Sequence, residues 1–362
     1  MRVLVVNAGS SSLKLSVLDP DDAVLDECNI PVERDVWERS ALEEALGRFP
    51  AVDAVGHRVV HGGREFVEPV RLDAFVVGRL RALGGLAPLH QPKSLAGIEA
   101  LEQALPRVPA VACFDTAFHA RMPVEASTYA VPARWREEFG VRRYGFHGLS
   151  HAYASRRAGQ WTGAERVVVA HLGAGASLSA VLGGRSVDTT MGFTPLEGLV
   201  MATRSGSVDP GLVLWVHEHA GVAMADVGWS LEHDSGLLGL AGSADMRTVL
   251  EREAAGDEVA RVAVGVYLHR LRALTASMVA SLGGVEALVF TGGVGEGSAQ
   301  IRGRAADGLG FLGVGVDEAL NEGLEGEGEI TAAGARVRTV VVRAREDVEI
   351  ARGVRSVLSG ER

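Results

Sequence analysis

The sequence predicts an α/β protein built from two related domains. Its 362 residues exceed what one compact core usually holds. Short apolar strands alternate with helical patterns, which is typical of a mixed sheet covered by helices. One pattern also occurs twice, at 3–18 and at 166–182: a strand, a turn of small residues, and a second strand. This repeat favours two halves of related design that face each other.

Apolar runs, alternation and turn residues place the individual elements. Strands are predicted where β-branched apolar residues are bounded by turn residues, at 3–6, 13–18, 54–60, 110–114, 166–170, 178–182 and 287–290. Helices are predicted where apolar residues recur with helical spacing, at 37–49, 74–83, 94–105, 257–282 and 346–357.

Composition argues against several classes of protein. The formal charge of −10 and the scattered arginines argue against a nucleic-acid partner. Cys28 and Cys113 lie far apart without CxxC spacing, which argues against a disulfide framework or a zinc cluster and fits a reducing compartment. The apolar run 3–6 is too short for a signal peptide, and no run approaches the roughly 18 apolar residues that span a bilayer. We therefore expect a cytoplasmic protein without a membrane partner.

Glycine-rich turns follow three of the apolar strands, at 7–12, 171–177 and 292–298. Consecutive backbone amides without bulky side chains form an anion-binding concavity. The Walker spacing GxxxxGK[ST] is absent. One such turn alone is usually just a tight turn, but three in one chain favour phosphate binding. Lys14 follows the first turn and is one of only two lysines among 36 basic residues, which indicates a need for its compact ammonium group.

Five charged or imidazole side chains stand where chemistry is expected. Arg58 lies near a strand end in a segment with two histidines, and Arg204 lies next to small residues; a guanidinium in either place can bind carboxylate or phosphate through paired hydrogen bonds. Asp115 closes a strand, which suits a metal ligand or base as well as a helix cap. His147, between glycines, suits stabilisation of a transferring phosphoryl group, although a core histidine is the alternative. Glu346 is either a magnesium ligand or a complement to a helix dipole.

Taken in order, these segments closely resemble the acetate kinase family of the acetate and sugar kinase/Hsp70/actin superfamily. The matching blocks cover nearly the whole chain and read NAGSSSLK, HRVVHGG, PLH, FDTAFH, YGFHG, HLG, DTTMGFTPLEGL, SADMR and FTGGVGEGSAQIR. The resemblance implies two actin-like (ribonuclease H-like) domains with a cleft between them. The first would comprise 1–117 with about 347–362, and the second 118–346, which would carry the nucleotide site and the interface of a homodimer.

The resemblance also implies a reversible, Mg²⁺-dependent, in-line transfer of the ATP γ-phosphoryl group to acetate, with Mn²⁺ as an alternative ion. The catalytic residues would be Arg58, Asp115, His147 and Arg204. Acetate would contact Arg58, Val60, Leu89, Phe146 and Pro195. The nucleotide would contact Ser10, Ser12, Lys14, His171, Gly173, Gly175, Asp245, Arg247, Gly292, Gly293, Gly295 and Gly297. Asn7 and Glu346 would serve the metal.

Three alternatives stay open, and one of them rests on departures from the family pattern. Ala174 and Gly297 stand where the family usually has asparagine, Gln91 replaces another asparagine, and residues 344–347 read Ala-Arg-Glu-Asp instead of Thr-Asn-Glu-Glu. Most of these changes are on the nucleotide side, so a pyrophosphate or other-donor kinase is one alternative. A propionate kinase is another, because one methylene in an apolar pocket contributes only ~1–3 kcal/mol of discrimination. The third is a non-catalytic nucleotide-binding module, against which the two arginines argue.

Overall fold

The computed structural model describes residues 1–9, 12–31, 37–87 and 91–360. The chain forms two compact units. Unit 1 comprises Met1–Ala120, His147–Tyr153 and Arg345–Arg362, and unit 2 comprises Arg121–Phe146 and Ala154–Ala344. Among the described residues each unit contains one six-stranded sheet, and the predicted α/β class is confirmed. The domain boundaries expected at 117 and 346 stay a prediction.

The sheet of unit 1 consists of β1 (Val3–Ala8), β2 (Ser12–Leu18), β3 (Val24–Pro31), β4 (Ala54–Val59), β5 (Val70–Arg71) and β6 (Ala110–Phe114). Their spatial order is β3-β2-β1-β4-β6-β5. Strands β1, β4 and β6 run parallel, whereas β2, β3 and β5 are antiparallel to their neighbours. The carboxyl ends of β1, β4 and β6 therefore meet at one edge, where α/β proteins assemble ligand sites.

The sheet of unit 2 repeats this plan with β7 (Arg166–Leu172), β8 (Ala176–Leu182), β9 (Arg185–Thr189), β10 (Ala287–Thr291), β11 (Gly328–Glu329) and β12 (Arg338–Val341). Their order is β11-β12-β10-β7-β8-β9. Strands β7, β10 and β12 are parallel, and β8, β9 and β11 antiparallel. Each element of the first sheet thus has a counterpart in the second, as the repeated strand–turn–strand pattern predicted.

The helices between the strands follow in chain order. The first six are α1 (Arg39–Arg48), α2 (Ala74–Ala82), α3 (Gln91–Ala104), α4 (Val124–Ser127), α5 (Ala133–Glu138) and α6 (Gly148–Thr162). The next are α7 (Pro210–Glu218), α8 (Met224–His233), α9 (Gly236–Ala241), α10 (Met246–Ala254) and α11 (Glu258–Leu282). The last are α12 (Gly292–Gly297), α13 (Ala299–Asp307), α14 (Glu318–Glu322) and α15 (Glu346–Ser359). Among the residues that the structure describes, every helix is too short or too polar to cross a bilayer.

Strand β1 is buried on both faces, which explains its unbroken apolar sequence. Val3 and Val5 pack with Ile350 and Val354 of α15. Leu4 and Val6 pack on the opposite face, with residues of β2, α1 and α3. The polar residues at the end of β1 are thereby held on a rigid element.

Helix α11 has the end signals that made it predictable. The Asp257 carboxylate accepts hydrogen bonds from the amides of Val259 and Ala260, and the helix ends at Gly283 in the left-handed conformation. An aspartate before the first turn is a strong start signal for a helix, and a glycine just past its end is a strong stop signal. The predicted range of 257–282 is confirmed.

Candidate active site

Four side chains converge at the carboxyl edge of the sheet of unit 1. Asn7 lies near the end of β1, Arg58 near the end of β4, Asp115 directly after β6, and Glu346 opens α15. Arg58 donates from Nε to both oxygens of Asp115, at 3.0 and 3.1 Å, and from Nη2 to Oδ2 at 2.6 Å. Its Nη1 donates to Asn7 Oδ1 at 3.0 Å. We call these four residues the Arg58 cluster.

Electrostatics in the Arg58 cluster favour a permanently charged arginine. Burial by itself lowers the pKa of Arg58, but the carboxylates of Asp115 and Glu346 raise it well above its ordinary range. Burial raises the pKa of the Asp115 carboxyl, and the Arg58 guanidinium opposes that rise. Asp115 is 1% exposed, so the guanidinium is held in one orientation by a partner that water hardly reaches.

Glu346 and Asn7 provide oxygen atoms of the kind that Mg²⁺ binds. Asn7 Nδ2 donates to Glu346 Oε2 at 3.2 Å, and Arg58 Nε lies 3.7 Å from the same oxygen. Among the described residues, Glu346 Oε1 accepts no hydrogen bond. Mg²⁺ usually takes one or two carboxylates, several waters and phosphate oxygens. The donor set at this edge therefore fits the ion.

His147 directly precedes α6 and has a backbone φ of +56°, which few residues other than glycine adopt. The next residue, Gly148, donates its amide to the carbonyl of Asp115 at 2.9 Å. A Cβ at Gly148 would lie 2.2 Å from that carbonyl oxygen. The glycine after the histidine is thus required by the close approach of the Asp115 segment, which fixes where His147 stands.

The two hairpins predicted to bind phosphate occupy equivalent places in the two sheets. In the first, Gly9 donates to the carbonyl of Ser12 at 2.9 Å, and the exposed Lys14 lies opposite Asn7 in the ladder. Ser10 lies outside the described residues. In the second, Gly173 donates to the carbonyl of Gly175 at 3.0 Å, and His171 pairs with Ser177. In each hairpin the described residues on the two sides of the tip are therefore joined by a close backbone hydrogen bond, as expected for a tight turn.

The third glycine-rich segment was predicted as a turn but is the short helix α12. Gly292 has φ +80°, and a Cβ there would lie 2.9 Å from the carbonyl oxygen of Leu172. The Glu296 carboxylate accepts from the amides of Gly292 and Ala344, both at 2.9 Å. A Cβ at Gly293 or Gly297 would meet no described atom within 4 Å. The packing of the protein itself thus does not require glycine at these two positions.

Arg302 holds α12 in place, and the sequence analysis did not single it out. This arginine of α13 is 2% exposed. Its Nη1 donates to the carbonyls of Gly295 and Glu296 at 3.0 and 2.7 Å, and its Nε donates to Asn321 at 2.7 Å. Arg302 lies on the same helix stripe as the buried Ala305 and Ala306. That spacing is the one signal in the sequence that points to its burial.

Asp245 and Arg247, predicted to contact the nucleotide, begin α10. The Asp245 carboxylate caps the helix by accepting from the Arg247 amide at 2.9 Å. The two side chains also pair at 3.3 Å, although the Arg247 side chain is 85% exposed. Capping of α10 is enough to explain this geometry, so a role of the two residues in nucleotide binding stays a prediction.

Arg204 lies in unit 2 and is held mainly by neutral groups. Its Nη1 donates to the carbonyl of Pro195 at 3.1 Å and lies 3.8 Å from Met201 Sδ. Burial lowers the pKa of Arg204, and Glu232 opposes the change. Within the described part of the chain, no carboxylate forms an ion pair with Arg204. Its positive charge is thus available to an anion.

The residues predicted to line the acyl pocket are apolar and largely buried. Phe146 is 1% exposed and Val60 is 6% exposed. Pro195 is half-buried and accepts the hydrogen bond of Arg204 through its carbonyl. Leu89 lies outside the described residues.

Comparison with known proteins supports one family throughout the chain. A family model described as the acetokinase family matches residues 40–352. An acetate kinase of Clavibacter michiganensis is 43% identical over 386 aligned positions that cover 97% of each protein. The crystal structure of Porphyromonas gingivalis acetate kinase has a TM-score of 0.89 at 35% identity and covers 99% of each chain. A propionate kinase from Francisella tularensis has a TM-score of 0.90 at 35% identity, covering 97% of this chain and 98% of its own.

Proposed function

The chain belongs to the acetokinase family, and we propose that its own residues transfer the γ-phosphoryl group of ATP to acetate in one in-line step. The protein is a phosphotransferase with a carboxylate acceptor. An acetate oxygen forms a bond to the γ-phosphorus while the bond to the β,γ-bridging oxygen breaks, giving acetyl phosphate and ADP. Acetate is already ionised at neutral pH, so the step needs no general base. Positioning and charge stabilisation are what the protein must supply.

The Arg58 cluster is the observation that carries this proposal. An arginine oriented by a buried carboxylate and an amide presents its remaining N–H groups in a fixed direction. Such preorganised cationic donors stabilise charge that develops on a phosphoryl group without reorganising during the reaction. We assign Arg58 to the carboxylate and the phosphoryl oxygens, and Asp115 to the orientation of Arg58.

Arg204 and His147 supply the remaining stabilisation in this proposal. Arg204 is largely buried and has no ion-pair partner among the described residues, although Glu232 partly stabilises its charge; an anionic substrate would neutralise it. His147 would donate a hydrogen bond to the equatorial oxygens of the transferring group. Together with Arg58 these side chains would surround the charge that spreads over three oxygens in the transition state.

We propose Glu346 and Asn7 as the residues that would hold Mg²⁺, Glu346 through its carboxylate. The ion, or Mn²⁺ in its place, would neutralise charge on the β- and γ-phosphates when bound. Glu346 also lies near Arg58, so this residue links the metal site to the anion site. Glu346→Gln should raise the Mg²⁺ concentration that gives half-maximal rate, while the KM for acetate changes less. An unchanged Mg²⁺ dependence would remove Glu346 from the metal site.

We assign the nucleotide to the two hairpin tips and α12. The open space around Gly293 and Gly297 supports this assignment, because the packing of the protein does not explain the glycines. The amides at the tips of the two hairpins suit phosphate oxygens. Ala174 lacks one side-chain contact that the family usually has, so phosphate binding would depend more on the first hairpin.

Trapping of the product as a hydroxamate tests the activity directly. The full-length enzyme with acetate, ATP and Mg²⁺ should form acetyl hydroxamate once hydroxylamine is added. Replacement of ATP by pyrophosphate should abolish product, and kcat/KM should be higher for acetate than for propionate or butyrate. Absence of product with acetate and ATP would refute the assignment, and a preference for propionate would change the acceptor.

We also propose that the protein forms a homodimer through unit 2. Helix α7 is nine residues long and strongly apolar, yet it has no buried residue. Its Leu214 and Trp215 are more than half exposed, and so is Trp229 of α8. Exposed aromatic side chains on apolar helices are typical of protein interfaces. Light scattering should give the mass of a dimer, and Trp215→Arg should shift it towards the monomer.

A reducing compartment fits the two cysteines. Both Cys28 and Cys113 are free thiols, and Cys113 is buried. Burial raises the pKa of the Cys113 thiol, which keeps it in the unreactive protonated form. We therefore propose a cytoplasmic location.

A further inference from the structure

The loop of residues 190–198, which follows β9, carries Pro195 and is tied to two other parts of unit 2. The carbonyl of Gly192 accepts hydrogen bonds from the amides of Tyr144 and Gly145, at 3.0 and 3.2 Å. Those amides directly precede Phe146. The carbonyl of Pro195 accepts from Arg204. One loop thus touches both Arg204 and the backbone that carries Phe146.

Two side chains from an earlier part of the sequence, Tyr129 and Arg143, hold this loop, partly through its own Glu197. Arg143 donates from Nη1 to the carbonyls of Thr190 and Met191, both at 3.1 Å, and from Nη2 to Glu197 Oε1 at 2.7 Å. The Tyr129 hydroxyl donates to Glu197 Oε2.

The same Tyr129 hydroxyl makes a second hydrogen bond to the loop. It accepts from the amide of Phe193 at 3.0 Å. Tyr129, Arg143 and Glu197 therefore each have at least two hydrogen-bond partners. Together they fix the loop at both its start and its end.

Gly192 shows how closely these groups approach the loop. A Cβ at this position would lie 1.9 Å from Glu197 Oε2 and 2.1 Å from the Tyr129 hydroxyl oxygen. The space that any other residue would need is therefore filled by the two polar atoms. Burial raises the pKa of Tyr129, so its hydroxyl stays protonated and continues to donate to Glu197.

We infer that Tyr129, Arg143 and Glu197 form a positioning network that sets the acyl-chain preference of the enzyme and the location of Arg204. The inference rests on the proposed function, in which Phe146 and Pro195 contact the acyl group of the substrate. The three network residues act through the loop and not on the substrate. A change in the network moves the Pro195 carbonyl relative to the backbone before Phe146, and so changes pocket width and the anchor of Arg204 together.

The physical reason for a large kinetic effect is the sensitivity of in-line transfer to position. A displacement of about 1 Å at a reacting group can lower the rate about a hundredfold. Pocket width also discriminates acetate from propionate by one methylene, so a small shift of the wall changes their ratio. The nucleotide contacts assigned to α12 and the hairpins do not include this loop.

The test uses the full-length enzyme with Tyr129→Phe, Glu197→Gln and the double variant. Glu138→Gln is the matched control, because Glu138 also pairs with an arginine but on the exposed helix α5. Steady-state kinetics with acetate and propionate, the KM for ATP, and the melting temperature are measured for each. Tyr129→Phe removes a single oxygen atom, so it should fold even if Glu197→Gln does not.

Both single variants should lower kcat/KM for acetate about tenfold or more, the size expected for a misplaced reactant. The ratio of kcat/KM for acetate and propionate should change about fivefold, within what a pocket wall can control. The KM for ATP should stay within about twofold of wild type, and the double variant should lose little more than either single variant. The Glu138→Gln control should match wild type.

A folded Tyr129→Phe enzyme with unchanged acetate kinetics and an unchanged acetate-to-propionate ratio would overturn the inference. The inference would also be overturned if kinetics with acetate, with propionate and with ATP were all impaired to the same extent, because this would show a general structural role. Failure of the wild-type enzyme to phosphorylate acetate would instead refute the proposed function and the inference with it. The two failures are therefore distinguishable.

Discussion

The two arginines assigned to the anionic substrates are held in opposite ways. Arg58 in unit 1 pairs with the buried Asp115 at 2.6 Å and lies 3.7 Å from Glu346. Arg204 in unit 2 is held by a carbonyl and a thioether, and burial lowers its pKa. The charge of Arg58 is thus paired with a buried carboxylate, whereas the charge of Arg204 forms no ion pair with a described carboxylate and is only partly stabilised by Glu232.

The two environments favour different roles: orientation of the guanidinium at Arg58 and binding of an anion at Arg204. A cation held by carboxylates is well oriented, but its attraction for a further anion is reduced. A buried cation without a carboxylate partner costs stability in the free enzyme and gains more when an anion binds. We therefore expect Arg58 to contribute chiefly orientation, and Arg204 chiefly binding of charge.

Among these substitutions, Arg58→Ala should have the largest effect on stability and activity together. Loss of the guanidinium leaves Asp115 buried without its partner, which should destabilise the fold by about 3–5 kcal/mol. The kcat should fall by about 10³ or more, as for loss of an arginine in phosphoryl transfer. Urea unfolding and steady-state kinetics measure the two effects.

Arg79→Ala is the control for Arg58→Ala, because it breaks an exposed ion pair with Glu65 in the same unit. Exposed pairs contribute about 1 kcal/mol or less. An Arg58→Ala protein as stable as this control would show that the Arg58 cluster does not support the fold.

Arg204→Ala should lose a similar factor in kcat without a similar loss of stability. Removal of a buried charge that lacks a carboxylate partner offsets the lost packing, so stability should change by less than about 1 kcal/mol. Arg185→Ala, at the exposed first residue of strand β9, serves as the kinetic control. A destabilisation as large as that of Arg58→Ala would abolish the contrast between the two arginines.

The region around Arg58 should also be sensitive to acid. Burial lowers the pKa of His57 to about 3 and of His61 to about 4. Between pH 6.5 and about 4 the unfolded chain binds protons that the folded chain does not. The two histidines should therefore leave the free energy of unfolding at its full value above pH 6.5. Below pH 6.5 each of them should lower it by about 1.4 kcal/mol per pH unit.

Urea unfolding between pH 7 and pH 4.5 measures this slope. His57→Leu, which removes a buried imidazole, should remove about half of it. A slope that does not change in this variant would show that His57 titrates normally in the folded protein.

Ala174→Asn should give the smallest effect, and it concerns the second hairpin. Ala174 is exposed, so an asparagine fits without a clash and restores the residue usual in the family. One added hydrogen bond to a charged phosphate should lower the KM for ATP about tenfold at most. Gly184→Asn, on the hairpin between β8 and β9, places the same side chain away from the nucleotide. Equal effects of the two substitutions would argue against a phosphate contact at Ala174.

Much of the site could be predicted from the sequence because polar residues end apolar strands. Arg58 and Asp115 were selected on that ground and Asn7 through the family resemblance, and the structure brings all three to one sheet edge. Their pairing was not predictable, since it depends on the register of β4 beside β6. The same limit applies to Glu197, whose partners lie 54 and 68 positions away in the sequence.

Elements without a local signal were missed or misassigned. Strand β3 is mostly exposed, and β5 has two residues that count as a strand only because β6 lies beside them. The segment that became α12 consists mostly of glycine, which disfavours helices in isolation. The Glu296 carboxylate and the Arg302 guanidinium hold it in the helical form.

The sequence by itself determined the α/β class, the duplicated plan and the family, and it singled out three residues, Asn7, Arg58 and Asp115, that meet at one sheet edge. Each of these follows from local patterns: apolar runs, turn residues and motif order. Only the tertiary structure decided which charges are matched, so that Arg58 is neutralised by Asp115 while Arg204 is not. The reason is that strand register and burial set the distances and the local dielectric on which the energy of a charge depends.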